Sequence, residues 1–352
     1  MKKEDILEDY SIALISRECS LMGRKEVLTG KAKFGIFGDG KEVPQVAMAR
    51  AFREGDFRSG YYRDQTFMMA IGVHTVEHFF AGLYAHADIE ADPTSAGRQM
   101  GGHFTTHSLD ENGEWKNLLK QKNSSSDISC TAGQMPRLLG LAQASKVYRA
   151  LPNAAAEGFS DHGNEVAWGT IGNASTSEGH FFETLNAAGV MQVPMVMSVW
   201  DDEYGISVPK EYHTTKESIS EVMKGFVRDD KHAGIELMVV NGWDYPALYE
   251  AYQKAATIAR EQHVPVLVHV RELTQPQGHS TSGSHERYKS AERLEWEKEF
   301  DCISKMREWI LASGYATEEE LATIEQQAKK RVNEGKKKAW EADIKPIEQE
   351  RK

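Results

Sequence analysis

Apolar residues recur near helical spacing over Asp5–Met22 and over Asp64–Tyr84, where Phe67, Met68, Ile71, Phe79 and Phe80 mark one face; both stretches are expected to be helices. Gly133–Leu151 predicts a third helix, with Pro136 in the first turn, where its missing N–H is not needed. The period then changes. Glu165–Ile171 and Pro194–Trp200 are short apolar runs bounded by glycine or acidic residues, the pattern of strands buried on both faces, and a helical stretch, Glu178–Val190, separates them. The order repeats with Glu236–Val240 as strand, Asp244–Glu261 as helix and Val264–Val270 as strand. This alternation predicts right-handed crossovers and an α/β fold, a doubly wound, mostly parallel sheet flanked by helices.

Two long polar stretches break the pattern, at about 104–127 and 275–290, and read as mobile loops, since loops of this length inside a compact domain are usually functional or disordered. From Ala291 onward the chain is charged and helical, with Trp296, Phe300, Ile303, Met306, Trp309 and Ile310 on one face. The expected organisation is therefore an α/β domain over 1–287 and a helical C-terminal extension over 288–352.

Composition narrows the function. The 352 residues are 40% apolar, enough for a large core, and the formal charge of -11 includes no isolated basic cluster, which argues against nucleic acid as a partner. No apolar run approaches a membrane span, no signal-type segment opens the chain, and Cys19, Cys130 and Cys302 follow no metal-ligand spacing; a cytoplasmic protein without a membrane partner is expected.

The candidate chemistry lies where two predicted strands end. The first hands over to Gly172-Asn173-Ala174-Ser175, the second to Asp201-Asp202-Glu203-Tyr204. Ligands of open parallel sheets sit beyond the carboxyl ends of the strands, so both clusters should face one crevice. Small residues allow close approach, and the helix starting near Glu178 aims its first N–H groups towards a bound anion.

This arrangement resembles the thiamine-diphosphate enzymes, specifically the alpha subunit of the 2-oxo acid dehydrogenase decarboxylases. The family places an acid in the first element and an amide in the second; here Asn173 and Asp202 exchange those roles, keeping one negative charge and the oxygen ligands. By resemblance, Asn173, Asp202 and the Tyr204 carbonyl hold magnesium, with potassium also present in some members. Further elements match in order. Gly60-Tyr61-Tyr62-Arg63-Asp64 is similar to a Tyr-Arg-Asp segment whose arginine binds diphosphate. Gly97-Arg98-Gln99-Met100 with His103, the segment holding Ser129, Thr131 and Gln134, and Glu178-Gly179 with Asn186 also find counterparts, as does Gly278-His279-Ser280-Thr281-Ser282, a loop whose histidine lies near cofactor and substrate. The resemblance implies cofactor contacts from Tyr62, Arg63, Ser129, Thr131, Gly172, Asn173, Ala174, Ser175, Asp202, Tyr204, Ile206 and His279, and catalytic roles for His279 and His103.

Each residue also has a bland reading: Arg63 and Asp64 as a solvated surface pair, the loop histidines as merely exposed, and His74, His78 and His86 as packing or surface residues rather than metal ligands. Gly38-Asp39-Gly40 is read as a tight surface turn that continues through Lys41–Pro44.

The activity implied by the resemblance is decarboxylation of a 2-oxo acid, branched-chain first and pyruvate next, with the acyl unit passed to a lipoyl-bearing acyltransferase. The chain corresponds to an alpha half, so a beta subunit or fused beta domain completes the site. A non-catalytic scaffold subunit is the main alternative; a nicotinamide dehydrogenase is disfavoured, because no G-x-G-x-x-G opens a helix after a strand.

Overall fold

The computed structural model describes residues 1–151 and 157–351. Six strands form one parallel sheet in the order β2-β1-β3-β4-β8-β7: β1 (Phe57–Ser59), β2 (Asn123–Ser124), β3 (Ala167–Gly172), β4 (Met195–Trp200), β7 (Glu236–Asn241) and β8 (Val266–Arg271). A separate antiparallel hairpin, β5 (Tyr204–Gly205) with β6 (Val208–Pro209), follows β4. The four longer sheet strands lie where the apolar runs predict them. The expected doubly wound α/β architecture is the one observed.

Side-chain alternation on the central strands builds two cores. Trp168, Val196, Trp200, Val266, Val268 and Val270 face one side, together with α1 (Lys3–Leu28), α2 (Glu42–Ala51) and α8 (Tyr245–Gln262). Ala167, Ile171, Met195, Met197, Val199 and Leu267 face the other, against α5 (Gln134–Ala150), α6 (Gly179–Met191) and α7 (Ile219–Val222). The C-terminal helices α9 (Ala291–Glu299), α10 (Cys302–Ala312) and α11 (Glu318–Glu350) fold back over the N-terminal ones: Met306, Ile310 and Leu321 join the first core, and Val332 packs with Cys19, Val76 and Phe80. Among the described residues no helix is long and apolar enough to cross a membrane.

Three local expectations differ from the structure. The helix expected over Asp64–Tyr84 is two, α3 (Gln65–Ala70) and α4 (Val76–Tyr84). Gly72, with φ +82, ends the first, and Thr75 caps the second by accepting from His78 N. The Lys41–Pro44 segment is not a turn but the start of α2, with Pro44 tolerated in its first turn. Gly38-Asp39-Gly40 is not a surface turn either. Asp39 is 1% exposed, and Gly40 has φ +86 and lies so close to the chain at Thr274 that an added Cβ would fall 2.0 Å from its carbonyl oxygen. The 104–127 loop, for its part, contains β2 near its end.

The strand β1 is short and polar because it carries Arg58 into the interior. That guanidinium, fully buried, donates to Asp64 at 2.6 Å, to Asp127 at 2.9 Å and to Ser124 at 2.9 Å, while Asp64 also accepts from Trp200 Nε1. One cation thus ties β1, β2 and the start of α3 to β4. Breaking a buried ion pair leaves an uncompensated charge, so Arg58→Met is expected to lower stability by about 3–5 kcal/mol in denaturant unfolding; a change within about 0.5 kcal/mol, typical of a surface site, would contradict this role.

Candidate active site

Beyond the carboxyl ends of β3 and β4 lies a cavity of about 340 Å³, within the range of small-ligand sites. Its wall is built from six distant segments: Lys41; Tyr61, Tyr62 and Arg63; Thr131; Gly172–Ser175; Trp200, Asp202 and Tyr204–Ile206; and His279. The structure brings together Tyr62, Arg63, Thr131, Gly172, Asn173, Ala174, Ser175, Asp202, Tyr204, Ile206 and His279, all expected from the sequence. The helix expected to start near Glu178 is α6, Gly179–Met191, with Glu178 at its N-cap. A 3-10 turn, Ala174–Ser177, intervenes between β3 and α6, and the lining residues belong to that turn.

Two expected participants lie elsewhere. His103 Nε2 and Ser129 Oγ are 2.8 Å apart and hold each other outside the cavity wall. The exposed Arg98-Gln99-Met100 segment is also away from it; Arg98 turns back on the Ser95 carbonyl. Gln134 is structural: its Nε2 donates to Thr170 O.

Arg63 and Asp64 are neither solvated nor paired with each other. Asp64 points down to Arg58, whereas Arg63, 5% exposed, donates to Phe37 O, to His279 O at 3.0 Å and to His279 Nδ1 at 2.9 Å. That last bond fixes the tautomer of the neutral ring, leaving the proton on Nε2. Burial, reinforced by the nearby Arg63 charge, pushes the imidazole pKa down to about 4.

The consecutive acids separate. Asp201 Oδ2 pairs with buried His269 Nε2 at 2.8 Å, and Asp201 O receives Leu273 N, so this residue fixes the β4 end to β8. Asp202 turns into the cavity. Burial raises its pKa, but Lys41 and then Arg63 outweigh burial and hold the carboxyl below its ordinary range. The Lys41 Nζ–Asp202 Oδ2 distance is 2.9 Å.

Lys41 is the charged wall residue that sequence reading missed. The available signal was the glycine-flanked segment Gly38–Gly40, which places the start of α2 against the 274–277 backbone. Gln277 N donates to Asp39 Oδ2, and Thr281 and Gly35 exchange two hydrogen bonds, so the start of the 275–290 loop is fastened to this segment. Arg293 of α9 secures the other rim, donating to Asp202 O and Leu273 O.

Apart from Asp202, the ionised and unsatisfied groups here are donors. Lys41 and Arg63 are cationic, Asn173 Nδ2 is buried without a partner, and His279 keeps its Nε2 proton. With two cations against one carboxylate, the cavity suits an anion.

The depressed His279 value is testable by pH. Its folded-state pKa of about 4 lies below the ordinary 6.5, so the unfolded chain takes up the proton first. The contribution of this group to stability is complete above pH 6.5 and is lost as pH falls towards 4. Imidazole NMR, assigned with His279→Gln, is expected to show a neutral ring at neutral and mildly acidic pH; an ordinary histidine midpoint would contradict the assignment.

Comparison with known proteins agrees with this architecture. The family described as "Dehydrogenase E1 component" matches residues 11–348. The chain is 29% identical to the 2-oxoisovalerate dehydrogenase subunit alpha of Bacillus subtilis (strain 168), over 96% of this chain and 92% of that protein. It is 26% identical to the pyruvate dehydrogenase E1 component subunit alpha of Acholeplasma laidlawii, over 99% of this chain and 88% of that one. With the mitochondrial 2-oxoisovalerate dehydrogenase subunit alpha of Mus musculus it shares 25% identity, over 98% and 70% respectively. The family match takes in every segment of the cavity wall, and the chain belongs to the dehydrogenase E1 component family, as an alpha-type chain of a 2-oxo acid dehydrogenase.

Proposed function

We propose that the cavity holds the diphosphate end of thiamine diphosphate, the cofactor on which this family depends, and that the chain serves oxidative decarboxylation of a 2-oxo acid. The observation that carries this reading is the donor-lined cavity at the β3 and β4 ends, where Arg63 and Lys41 converge on a space of about 340 Å³. When bound, the cofactor supplies the carbon nucleophile and electron sink for loss of carbon dioxide.

The chain's own residues supply the rest. Arg63, held in place by Phe37 O and by the His279 ring and carbonyl, grips phosphate oxygens and orients the histidine. His279 presents the Nε2 proton to the cavity as a neutral donor. Tyr61, Tyr62, Trp200 and Ile206 line the wall and limit water around the charged end. His103, fixed on Ser129 outside the wall, has no part in holding the cofactor.

The names of the relatives support a branched-chain 2-oxo acid as first substrate and pyruvate as second. The catalytic unit in this reading is the chain with a beta-type subunit or domain, which contributes the remaining half of the cofactor site, and the acyl group passes to a lipoyl-bearing acyltransferase.

Arg63→Gln tests the reading. It removes the charge but keeps a polar side chain, and losing one partner of a buried charged contact costs on the order of 2–5 kcal/mol, so thiamine diphosphate is expected to bind roughly 30-fold more weakly or worse. Trp200 lies in the wall and provides a fluorescence signal for the titration. Unchanged affinity in the folded variant would contradict it.

A further inference from the structure

A divalent ion bridging Asn173, Asp202 and the Tyr204 carbonyl needs a free carboxylate, and Asp202 is not free. The Lys41 ammonium donates to its Oδ2 at 2.9 Å, to Gln275 Oε1 at 2.7 Å and to Thr274 O at 3.1 Å. Three acceptors meet three N–H donors, and the residue is 1% exposed. A hard cation brought to that carboxylate would stand against the Lys41 ammonium in a buried site, where like charges repel; burial pushes the Lys41 pKa down, and the Asp202 charge works against that. The other two expected protein ligands are neutral oxygens, so Asp202 is the one protein charge that could draw the ion to the diphosphate. The residues present therefore do not fit the divalent ion.

The backbone is shaped to put Lys41 there. The left-handed conformation of Gly40 and its contact with the Thr274 carbonyl leave no room for a side chain, and this packing sets the next residue against Asp202. The polar atom left without a partner in the wall, Asn173 Nδ2, is a donor, suited to a phosphate oxygen.

We propose that Lys41 replaces the divalent cation: its ammonium balances Asp202 and, with Arg63 and the Asn173 amide, forms a diphosphate site that works without metal. This rests on the cofactor reading given above and specifies how the diphosphate is held.

The test is calorimetric titration of the full chain, assembled with its beta-type partner, with thiamine diphosphate in EDTA-containing buffer and again in saturating magnesium, with Mn2+ paramagnetic resonance on the same samples. Wild type is expected to bind equally in both buffers and to hold no Mn2+. Lys41→Gln frees Asp202 and is expected to bind at least about tenfold more weakly in EDTA, to regain affinity with magnesium and to acquire a Mn2+ site. Binding by wild type only in magnesium, or a wild-type Mn2+ signal abolished by Asp202→Asn, overturns the proposal. No binding in either buffer by the folded assembly of the chain with its beta-type partner overturns the cofactor reading and this proposal with it. The wild-type comparison stands by itself if Lys41→Gln fails to fold.

Discussion

Charge buried at the strand ends has to be neutralised within the protein, and this requirement organises the region around the cavity. Arg58 meets it with Asp64 and Asp127 and Asp202 meets it with Lys41, while Asp201 is held by a hydrogen bond with His269. An unpaired charge in such a place costs several kcal/mol, so each pairing fixes the segments that carry its partners. The first pairing holds β1 and β2 to the start of α3, the second holds the start of α2 to the end of β4, and the third joins β4 to β8. What remains open between them is the cavity, with Arg63 as the cation not committed to a carboxylate.

The same pairing separates two adjacent residues that look equivalent in the chain. Asp201 is part of the sheet's construction, whereas Asp202 faces the ligand space, and only the spatial position of Lys41 decides how its charge is used. Arg63 and Asp64 divide in the same way, one towards the cavity and one towards the Arg58 network. Such division makes the site rigid without a ligand: His279 is held by Arg63, and the loop that carries it is tied down through Asp39, Thr281 and Arg24.

What was legible in the sequence follows from physical scale. The strands β3, β4, β7 and β8 are continuous apolar runs because helices cover both faces, and their ends locate the Gly172–Ser175 and Asp201–Tyr204 clusters. The strands β1 and β2 are only two or three residues long and mostly polar, so no periodicity marks them. The helix α2 is masked by Gly40 and Pro44, which resemble turn residues until tertiary packing buries them. Gly72 divides a stretch whose apolar spacing reads as one helix. Within the site, residues gathered by linear motifs were found, but Lys41 is 161 positions from the carboxylate it neutralises, a separation that no local pattern spans. His103 and Ser129, each expected at the site by resemblance, hydrogen-bond to each other outside the cavity wall.

The central claim is that this cavity, with its Arg63 and Asn173 donors and the charge of Asp202 balanced by Lys41, receives a diphosphate. A crystal structure of the chain, assembled with its beta-type partner, with thiamine diphosphate tests it most directly. The account predicts diphosphate oxygens within hydrogen-bond distance of Arg63 and the Asn173 amide, beside an intact Lys41–Asp202 pair. A diphosphate bound elsewhere, or an empty cavity at saturating cofactor, would contradict it.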